Sequence, residues 1–295
     1  MNTLPIEKRV QIVNLLVEGM SMRAISRVAD VSINTVTKTL EDAGTACALY
    51  QDKKIRGIKT NRVQCDEIWG FCYSKEKNVA PSNKGVLGHG DVWTWTALDA
   101  DTKLMISYMV GKRDAEYANL FMADLASRLS SRVQLTTDGH KPYLKAVEGA
   151  FGFQVDYAML VKIYGEPSGT GAERRYTPAG FVRADKNCIV GSPRFEHIST
   201  SFVERQNLTM RMSMRRLTRL TNGLSKKVEN LEHAVALHFM HYNFARIHKT
   251  LRVTPAMEAG LSDHVWSLEE IVNLIPAPAA KKRGRYKPRI LEISN

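Results

Sequence analysis

The order of apolar segments between residues 61 and 160 constrains the fold more than any other feature of the sequence. Three strand-like segments come first, NRVQCDEIWGFCYS (61–74), DVWTWTALD (91–99) and KLMISYMVG (103–111). A helical pattern follows over 114–130, and then a strand (133–139), a helix (141–151) and another strand (154–160). A meander followed by crossover helices predicts a mixed α/β sheet with parallel neighbours at its end. This order fits a ribonuclease-H-like fold, and other mixed sheets fit it as well.

The first 45 residues predict three short helices, which is the outline of a helix-turn-helix. Apolar residues recur at helical spacing over 6–18, and Ser21 and Ser32 suit the N-caps of a second and a third helix. The outward side chains of the third helix, which suit base edges and phosphates in a major groove, are those of Asn34, Thr35, Lys38 and Thr39. A three-helix cap with a solvated face is the alternative.

The charge balance favours a polyanionic partner. The 295 residues include 42 Lys and Arg against 30 Asp and Glu, a formal charge of +12. Nucleic acid is the commonest such partner. An anionic membrane surface is the rival, but no long amphipathic helix lined with Lys and Arg supports it. No apolar run approaches the ~18 residues of a membrane span, and the first residues do not resemble a signal peptide, so we expect a cytoplasmic protein without a membrane partner.

Three carboxylates are candidates for a metal site. Asp66 lies within the first strand, Asp138 ends the fourth, and Glu204 lies near the start of a helix predicted over 199–221. If the first and fourth strands are neighbours, the two aspartates meet, and Glu204 is expected to reach the same point. Three oxygen ligands without a nearby His or Cys cluster suit Mg²⁺ or Mn²⁺ rather than zinc. Glu67 is expected to point to the opposite face of the strand and to take no part.

Two such ions about 3.5–4 Å apart activate a water or a 3′-hydroxyl on one side and stabilise the leaving oxygen on the other. In this hypothesis Asp66 bridges both ions, and Asp138 and Glu204 each complete one of them. Phosphodiester hydrolysis and strand transfer both follow from that arrangement.

The motifs CDEIW, TTDGH and SFVERQN, in that order, resemble the three acidic motifs of DDE-type bacterial insertion-sequence transposases. The closing segment HYNFARIHKTLRVTPAMEAGL (241–261) and the helix-turn-helix pattern extend the resemblance over nearly the whole chain, and the first-described, smallest insertion-element group is the most similar. The resemblance implies that Asp66, Asp138 and Glu204 form the catalytic triad with two Mg²⁺ ions, for which Mn²⁺ can substitute. It also implies terminal inverted repeats and target DNA as partners, and a homodimer or larger synaptic oligomer at the nucleoid.

The arginines that follow Glu204 are predicted to contact DNA phosphates, which guanidinium groups bind in a bidentate manner. Arg211 lies seven residues after Glu204, about two helical turns, where the family often has a basic residue, and Arg215 is expected on the same face. The full set of predicted DNA contacts is Asn34, Thr35, Lys38, His140, Arg205, Arg211, Arg215, Arg216 and Arg219. A solvated basic face is the alternative for the arginines.

The predicted organisation is a helix-turn-helix domain (1–45), a linker (46–61), a catalytic domain (62–250) with an irregular insertion (162–198), and a C-terminal segment (251–295). That last segment ends in the basic tail KKRGRYKPR, and a second long helix is predicted over 225–247. Two other functions stay open: a ribonuclease-H-like nuclease that cuts without joining, and a domesticated DNA-binding regulator with an inactive catalytic domain. The complete Asp, Asp, Glu set argues against the regulator.

Overall fold

The computed structural model describes residues 4–166, 179–218 and 221–277. Six strands form its sheet: β1 (Arg62–Cys72), β2 (Gly90–Asp99), β3 (Met105–Gly111), β4 (Val133–Thr137), β5 (Val155–Tyr164) and β6 (Phe181–Val190). The strand order is β3-β2-β1-β4-β5-β6. Strand β1 pairs antiparallel with β2, β2 with β3 and β5 with β6, whereas β1 and β5 pair parallel with β4. The mixed sheet predicted from the sequence is therefore confirmed, and it is consistent with a ribonuclease-H-like fold.

The helices of the described residues are α1 (Ile6–Val17), α2 (Met22–Val28), α3 (Ile33–Lys54), α4 (Ala115–Arg128), α5 (Pro142–Phe151), α6 (Ser201–Ser213), α7 (Val228–Met240), α8 (Pro255–Glu258) and α9 (Leu268–Asn273). Helices α4 and α5 are the crossovers on either side of β4. Asp114 caps α4 by accepting the amide of Tyr117 at 3.0 Å, and Pro142 lies in the first turn of α5, where its missing amide costs nothing.

The three N-terminal helices begin where the sequence predicts. Ser21 accepts the amide of Ala24 at 3.2 Å, and Ser32 accepts that of Thr35 at 3.1 Å. One side-chain prediction on α3 is wrong: Thr39, expected to face outward, is buried. A small cluster of Ile12, Ile25, Ala29 and Val36 packs within these helices.

The boundary predicted at residue 45 lies inside α3, and the linker predicted over 46–61 is wrong up to Lys54. The helix continues because its inner face packs on α7. Gly44 lies so close to α7 that a Cβ there would be 2.4 Å from the Cβ of His233. Residues of α1 and α3, among them Val13, Leu40 and Cys47, belong to the same core as the sheet. A separate all-α domain at the N-terminus is therefore not confirmed.

The irregular insertion predicted over 162–198 is wrong for the described part of that segment. Strand β5 continues to Tyr164, and β6 pairs with it along the edge of the sheet. Most β6 side chains are exposed on both faces, so the sequence lacks the alternation that reveals a half-buried strand. Residues 167–178 lie outside the described part.

Both long helices predicted after residue 198 are shorter than expected. Helix α6 ends at Ser213, where Met214 adopts an extended conformation, and a 3₁₀ turn follows over Arg215–Leu217. Helix α7 ends at Met240 and continues as one π-helical turn, His241–Ala245. Arg215 therefore does not lie on α6, which corrects its predicted place on the Glu204 face. Arg219 and the basic tail lie outside the described residues. Among the described helices, none has the length and apolar character to cross a membrane.

Candidate active site

Asp66 and Asp138 meet at the edge of the sheet where β4 ends. The parallel register of β1 and β4 pairs Gln64 with Thr136, and two residues further along the same register places Asp66 level with Asp138. One carboxylate oxygen each from Asp66, Glu67 and Asp138 lie within 4.8 Å of one another. The convergence predicted for the two aspartates is therefore observed.

Glu67 also belongs to this group, which corrects the prediction that it takes no part. Its side chain is 1% exposed and lies on the α5 side of the sheet, next to Tyr143. Alternation along β1 does send Asp66 and Glu67 to opposite faces. Because β4 ends at Thr137, however, no strand separates the two faces at this level, and Asp138 lies within reach of both carboxylates.

Arg113 connects two of the three carboxylates. Its Nε lies 2.9 Å from Glu67 Oε2, and its Nη2 lies 3.2 Å from Asp138 Oδ2. The guanidinium also lies over the ring of Trp93, 4.8 Å from the centroid. This residue was not predicted from the sequence, although one signal was present: β3 runs parallel to β1 and β4, so a basic residue just after β3 falls at the same edge of the sheet.

Helix α6 is fixed to β1 by hydrogen bonds on one face of the sheet. Gln64 Oε1 accepts the amides of Phe202 and Val203 at 2.9 and 3.2 Å. Further along the helix, Asn207 Nδ2 donates to Asp66 Oδ2 at 2.8 Å. Asn207 follows Glu204 by three residues and so lies on nearly the same helix face. Asn207 was not predicted from the sequence either, and its helical spacing from Glu204 was the available signal.

Glu204 lines the same cavity as Asp66 and Asp138, a space of about 670 Å³. Its carboxylate is held by Lys162 of β5, whose Nζ lies 2.5 Å from both oxygens, and by Thr200, whose hydroxyl donates at 2.5 Å. The group of carboxylates within 4.8 Å of one another does not include Glu204. The triad predicted from the sequence thus shares one cavity, with its third member paired to a lysine.

The electrostatics of the cavity disfavour negative charge on the buried carboxyls. Burial, followed by the charges of Glu67 and Asp138, raises the pKa of Asp66 to about 7. Burial and the charge of Asp138 raise the pKa of Glu67 to about 7, against the opposing effects of Tyr143 and Arg113. Burial and Arg113 lower the pKa of His140, whose backbone amide donates to Asp138 Oδ1 at 2.9 Å.

These donors fit a hard divalent cation. They are carboxylate oxygens, which Mg²⁺ and Mn²⁺ prefer, and His140 is the one imidazole that lines the cavity among the described residues. Glu67 Oε1 is buried and has no hydrogen-bond partner in the described part of the chain, so this oxygen is available to coordinate a cation. Asp66 and Asp138, with Glu67 beside them, would hold such an ion.

The structure places the predicted DNA contacts in different surroundings. Exposed side chains are those of Asn34, Lys38, Arg205 and Arg215, whereas Thr35 and Arg216 are partly buried. Lys38 pairs with Asp42 at 2.8 Å.

The guanidinium of Arg211 donates to the carbonyls of Leu217 and Trp69 at 3.1 and 3.4 Å, so it ties α6 to β1. His140 lines the cavity. Binding of DNA by any of these residues stays a prediction.

No family model matches the chain, and no curated protein matches it. A search of solved structures finds similarity to a cryo-EM structure of a piggyBac transposase synaptic complex with hairpin DNA. The sequence identity is 12%, the TM-score is 0.41, and the match covers 93% of this chain and 71% of that one.

Proposed function

We propose that the chain is a DDE transposase, which binds terminal inverted repeats, cleaves element ends and joins 3′-hydroxyls to target DNA. The supporting observation is the meeting of Asp66, within β1, and Asp138, just after the end of the parallel strand β4, in a cavity that Glu204 also lines. The resemblance of the three acidic motifs to those of insertion-sequence transposases supports the same assignment.

The side chains at and beside the cavity that this proposal uses have distinct roles. Asp66 and Asp138 bind divalent cations, and Asn207 orients Asp66 through its hydrogen bond of 2.8 Å. Arg113 holds the carboxylate of Asp138 in place. A bound Mg²⁺ or Mn²⁺ would supply activation of the attacking hydroxyl and stabilisation of the leaving oxygen. Glu204 would become a further ligand once its ion pair with Lys162 is broken.

The net positive charge of the chain favours the approach of a DNA backbone. Arg113, Lys141 and Lys162 all line it, and the whole chain carries a formal charge of +12. These three cations equal in number the carboxylates that line the cavity, Asp66, Asp138 and Glu204. The excess positive charge that raises the local concentration of a polyanion therefore belongs to the chain as a whole. End binding should therefore weaken steeply with salt, because phosphate neutralisation releases counterions.

The test is a joining reaction with purified protein, Mg²⁺ and a labelled element end that carries a free 3′-hydroxyl. The proposal expects joined products, and Asp138→Asn should abolish them while end binding stays nearly intact. Asp185→Asn is the matched control, because Asp185 lies exposed on β6 and pairs with Arg183. Cleavage without joining would instead identify a nuclease, and end binding without either reaction would identify a regulator.

The DNA-reading role of the N-terminal helices needs point substitutions rather than a truncation. A cut at residue 45 would remove half of α3, whose remaining half packs on α7. Asn34→Ala and Lys38→Ala should each reduce the preference for element ends over random duplex. Lys53→Ala, at the far end of the same helix, is the control. If both variants keep the preference for element ends, Asn34 and Lys38 take no part in DNA recognition.

A further inference from the structure

A second cavity, of about 500 Å³, lies where the N-terminal helices meet the end of α6 and the middle of α7. Its apolar wall includes Leu16, Val17, Leu40, Met214 and Leu237. The junction is close: Gly19 has a φ of +76°, and a Cβ there would lie 2.9 Å from the carbonyl oxygen of Ser213. A largely apolar cavity of this size with a few polar groups is typical of small-molecule sites.

Among the described residues, the charged side chains that line this cavity are all positive: Arg23, Arg215, Arg216 and Lys226. The most enclosed of them is Arg216, and burial lowers its pKa to about 10. Within the described residues, no carboxylate pairs with Arg216 and no hydrogen bond satisfies its guanidinium. Arg216 is partly buried, and a partly buried charge without a counterion is better stabilised by an anion than by an apolar ligand, so the site favours an anion.

His238 adds a second polar group without a partner to the cavity lining. The residue is 4% exposed, and its Nε2 has no hydrogen-bond partner in the described part of the chain. Burial, with smaller effects from His241 and Arg246, lowers the pKa of His238 to about 3. The imidazole is therefore neutral at physiological pH, and it can donate or accept a hydrogen bond according to its tautomer.

From this lining we infer that the second cavity binds a nucleotide, with its phosphate beside Arg216 and its base against the apolar wall. A purely apolar ligand would leave the guanidinium unpaired, and inorganic phosphate would leave the apolar wall in contact with water. The nucleotide comes either from the free pool or from a DNA strand in which one base is unpaired. Both sources share the same chemistry, a phosphate joined to a flat, largely apolar ring.

The cavity is connected to the proposed active site through α6. Glu204 lies in the first turn of this helix and Asn207 at its middle, and Ser213 and Met214 line the cavity at its end. At 1.5 Å per residue, Glu204 and Ser213 are roughly 14 Å apart along the helix axis. This separation corresponds to roughly four base pairs of duplex, so a strand bound at the active site is within reach of the cavity.

The inference goes beyond the proposed function and does not depend on metal chemistry, so binding is measured in EDTA. Calorimetric titration should show binding of deoxyadenosine 5′-monophosphate, and inorganic phosphate or deoxyadenosine should each bind at least about tenfold more weakly, because each lacks half of the contacts. Arg216→Gln should weaken mononucleotide binding by about tenfold or more. Arg194→Gln is the matched control and should leave binding unchanged, because Arg194 is exposed, lies outside the cavity and is not among the predicted DNA contacts.

Ala234→Leu keeps the inference testable if Arg216→Gln does not fold. Ala234 lines the cavity and is 9% exposed, so a leucine there fills the space without removing any cation. It should weaken mononucleotide binding, whereas the ligand-free protein should melt at an unchanged or higher temperature. Arg216→Gln should likewise not lower the melting temperature, because it removes an uncompensated charge. A purely structural role of Arg216 predicts the reverse.

The two sources are separated with a duplex that carries one bulged nucleotide and a fully paired duplex of otherwise identical sequence. A preference for the bulged duplex that Ala234→Leu removes would identify a nucleotide of a DNA strand as the occupant. Binding of the mononucleotide without such a preference would identify a free nucleotide. If neither probe binds in a way that Arg216→Gln or Ala234→Leu weakens, the inference is wrong. Either result stands apart from the joining reaction, which tests the proposed function alone.

Discussion

Lys162 and Glu204 form a direct ion pair, with the ammonium nitrogen 2.5 Å from both carboxylate oxygens. Lys162 lies on β5 and Glu204 on α6, so the pair joins two elements that line the cavity of the candidate site. A lysine in this position neutralises the carboxylate that the sequence motif assigns to metal binding. A divalent cation that is coordinated by the Glu204 carboxylate must therefore compete with Lys162 for it.

Lys162→Met should tighten Mn²⁺ binding by a few-fold, because it removes this competitor for Glu204. Both side chains are partly exposed, and solvent screening keeps the effect modest. Titration calorimetry measures it, with Lys186→Met on β6 as the control. The same variant should bind DNA more weakly, since it loses a cation at the cavity. Unchanged or weaker Mn²⁺ binding in Lys162→Met would show that Lys162 does not compete with the metal.

Asp66→Asn should stabilise the metal-free protein at pH 8 by on the order of 2 kcal/mol. The folded pKa of Asp66, about 7, lies above its ordinary value of 3.8. Between these values the folded state binds more protons than the unfolded state, so stability falls as pH rises through this window. Above pH 7 the folded state has the full cost of the charge, which asparagine removes.

Thermal unfolding of both proteins in EDTA between pH 4 and pH 8 measures this effect. The advantage of Asp66→Asn should be absent near pH 4 and greatest at pH 8. Added Mg²⁺ should raise the melting temperature of the native protein and leave that of the variant nearly unchanged. A variant that is less stable than the native protein at pH 8 in EDTA would refute the electrostatic account of the site.

Gly44→Ala should destabilise the protein by roughly 1–3 kcal/mol, because α3 and α7 are in contact at this point. A Cβ at residue 44 would lie 2.4 Å from His233 Cβ and 2.5 Å from its Cα, and neither atom can move without the backbone of α7. Gly149→Ala is the matched control. It lies within α5, a Cβ at this position would have no atom within 4 Å, and alanine should stabilise the helix by about 0.5–1 kcal/mol.

Urea unfolding measures both glycine variants. If Gly44→Ala is as stable as the native protein, the N-terminal helices do not pack on the α/β core as described. That result would favour the domain boundary predicted at residue 45.

The central strands were predictable because short apolar segments mark β1 to β5 locally. The meeting of Asp66 with Asp138 followed only on the assumption that β1 and β4 are neighbours, and the parallel pairing of these two strands supports that assumption. The length of α3 was not predictable, since the packing of Gly44 on His233 depends on a helix nearly 200 residues away. Strand β6 lacked an alternating pattern because both of its faces are exposed.

Contacts among side chains were the least predictable part of the site. Arg113 and Lys162 each pair with a carboxylate far away in the sequence, and no local pattern specifies such a pair. Glu67 was misjudged because alternation was applied without regard to where the neighbouring strand ends. The end of β4 at Thr137, rather than the orientation of β1, decides which carboxylates meet.

The most direct test of the central claim is the anomalous scattering of Mn²⁺ in crystals of the native protein. The account predicts a peak at coordination distance, about 2.0–2.6 Å, from carboxylate oxygens of both Asp66 and Asp138, and loss of that peak in Asp138→Asn crystals. Mn²⁺ bound elsewhere, or no peak between these two residues at saturating Mn²⁺, would contradict it.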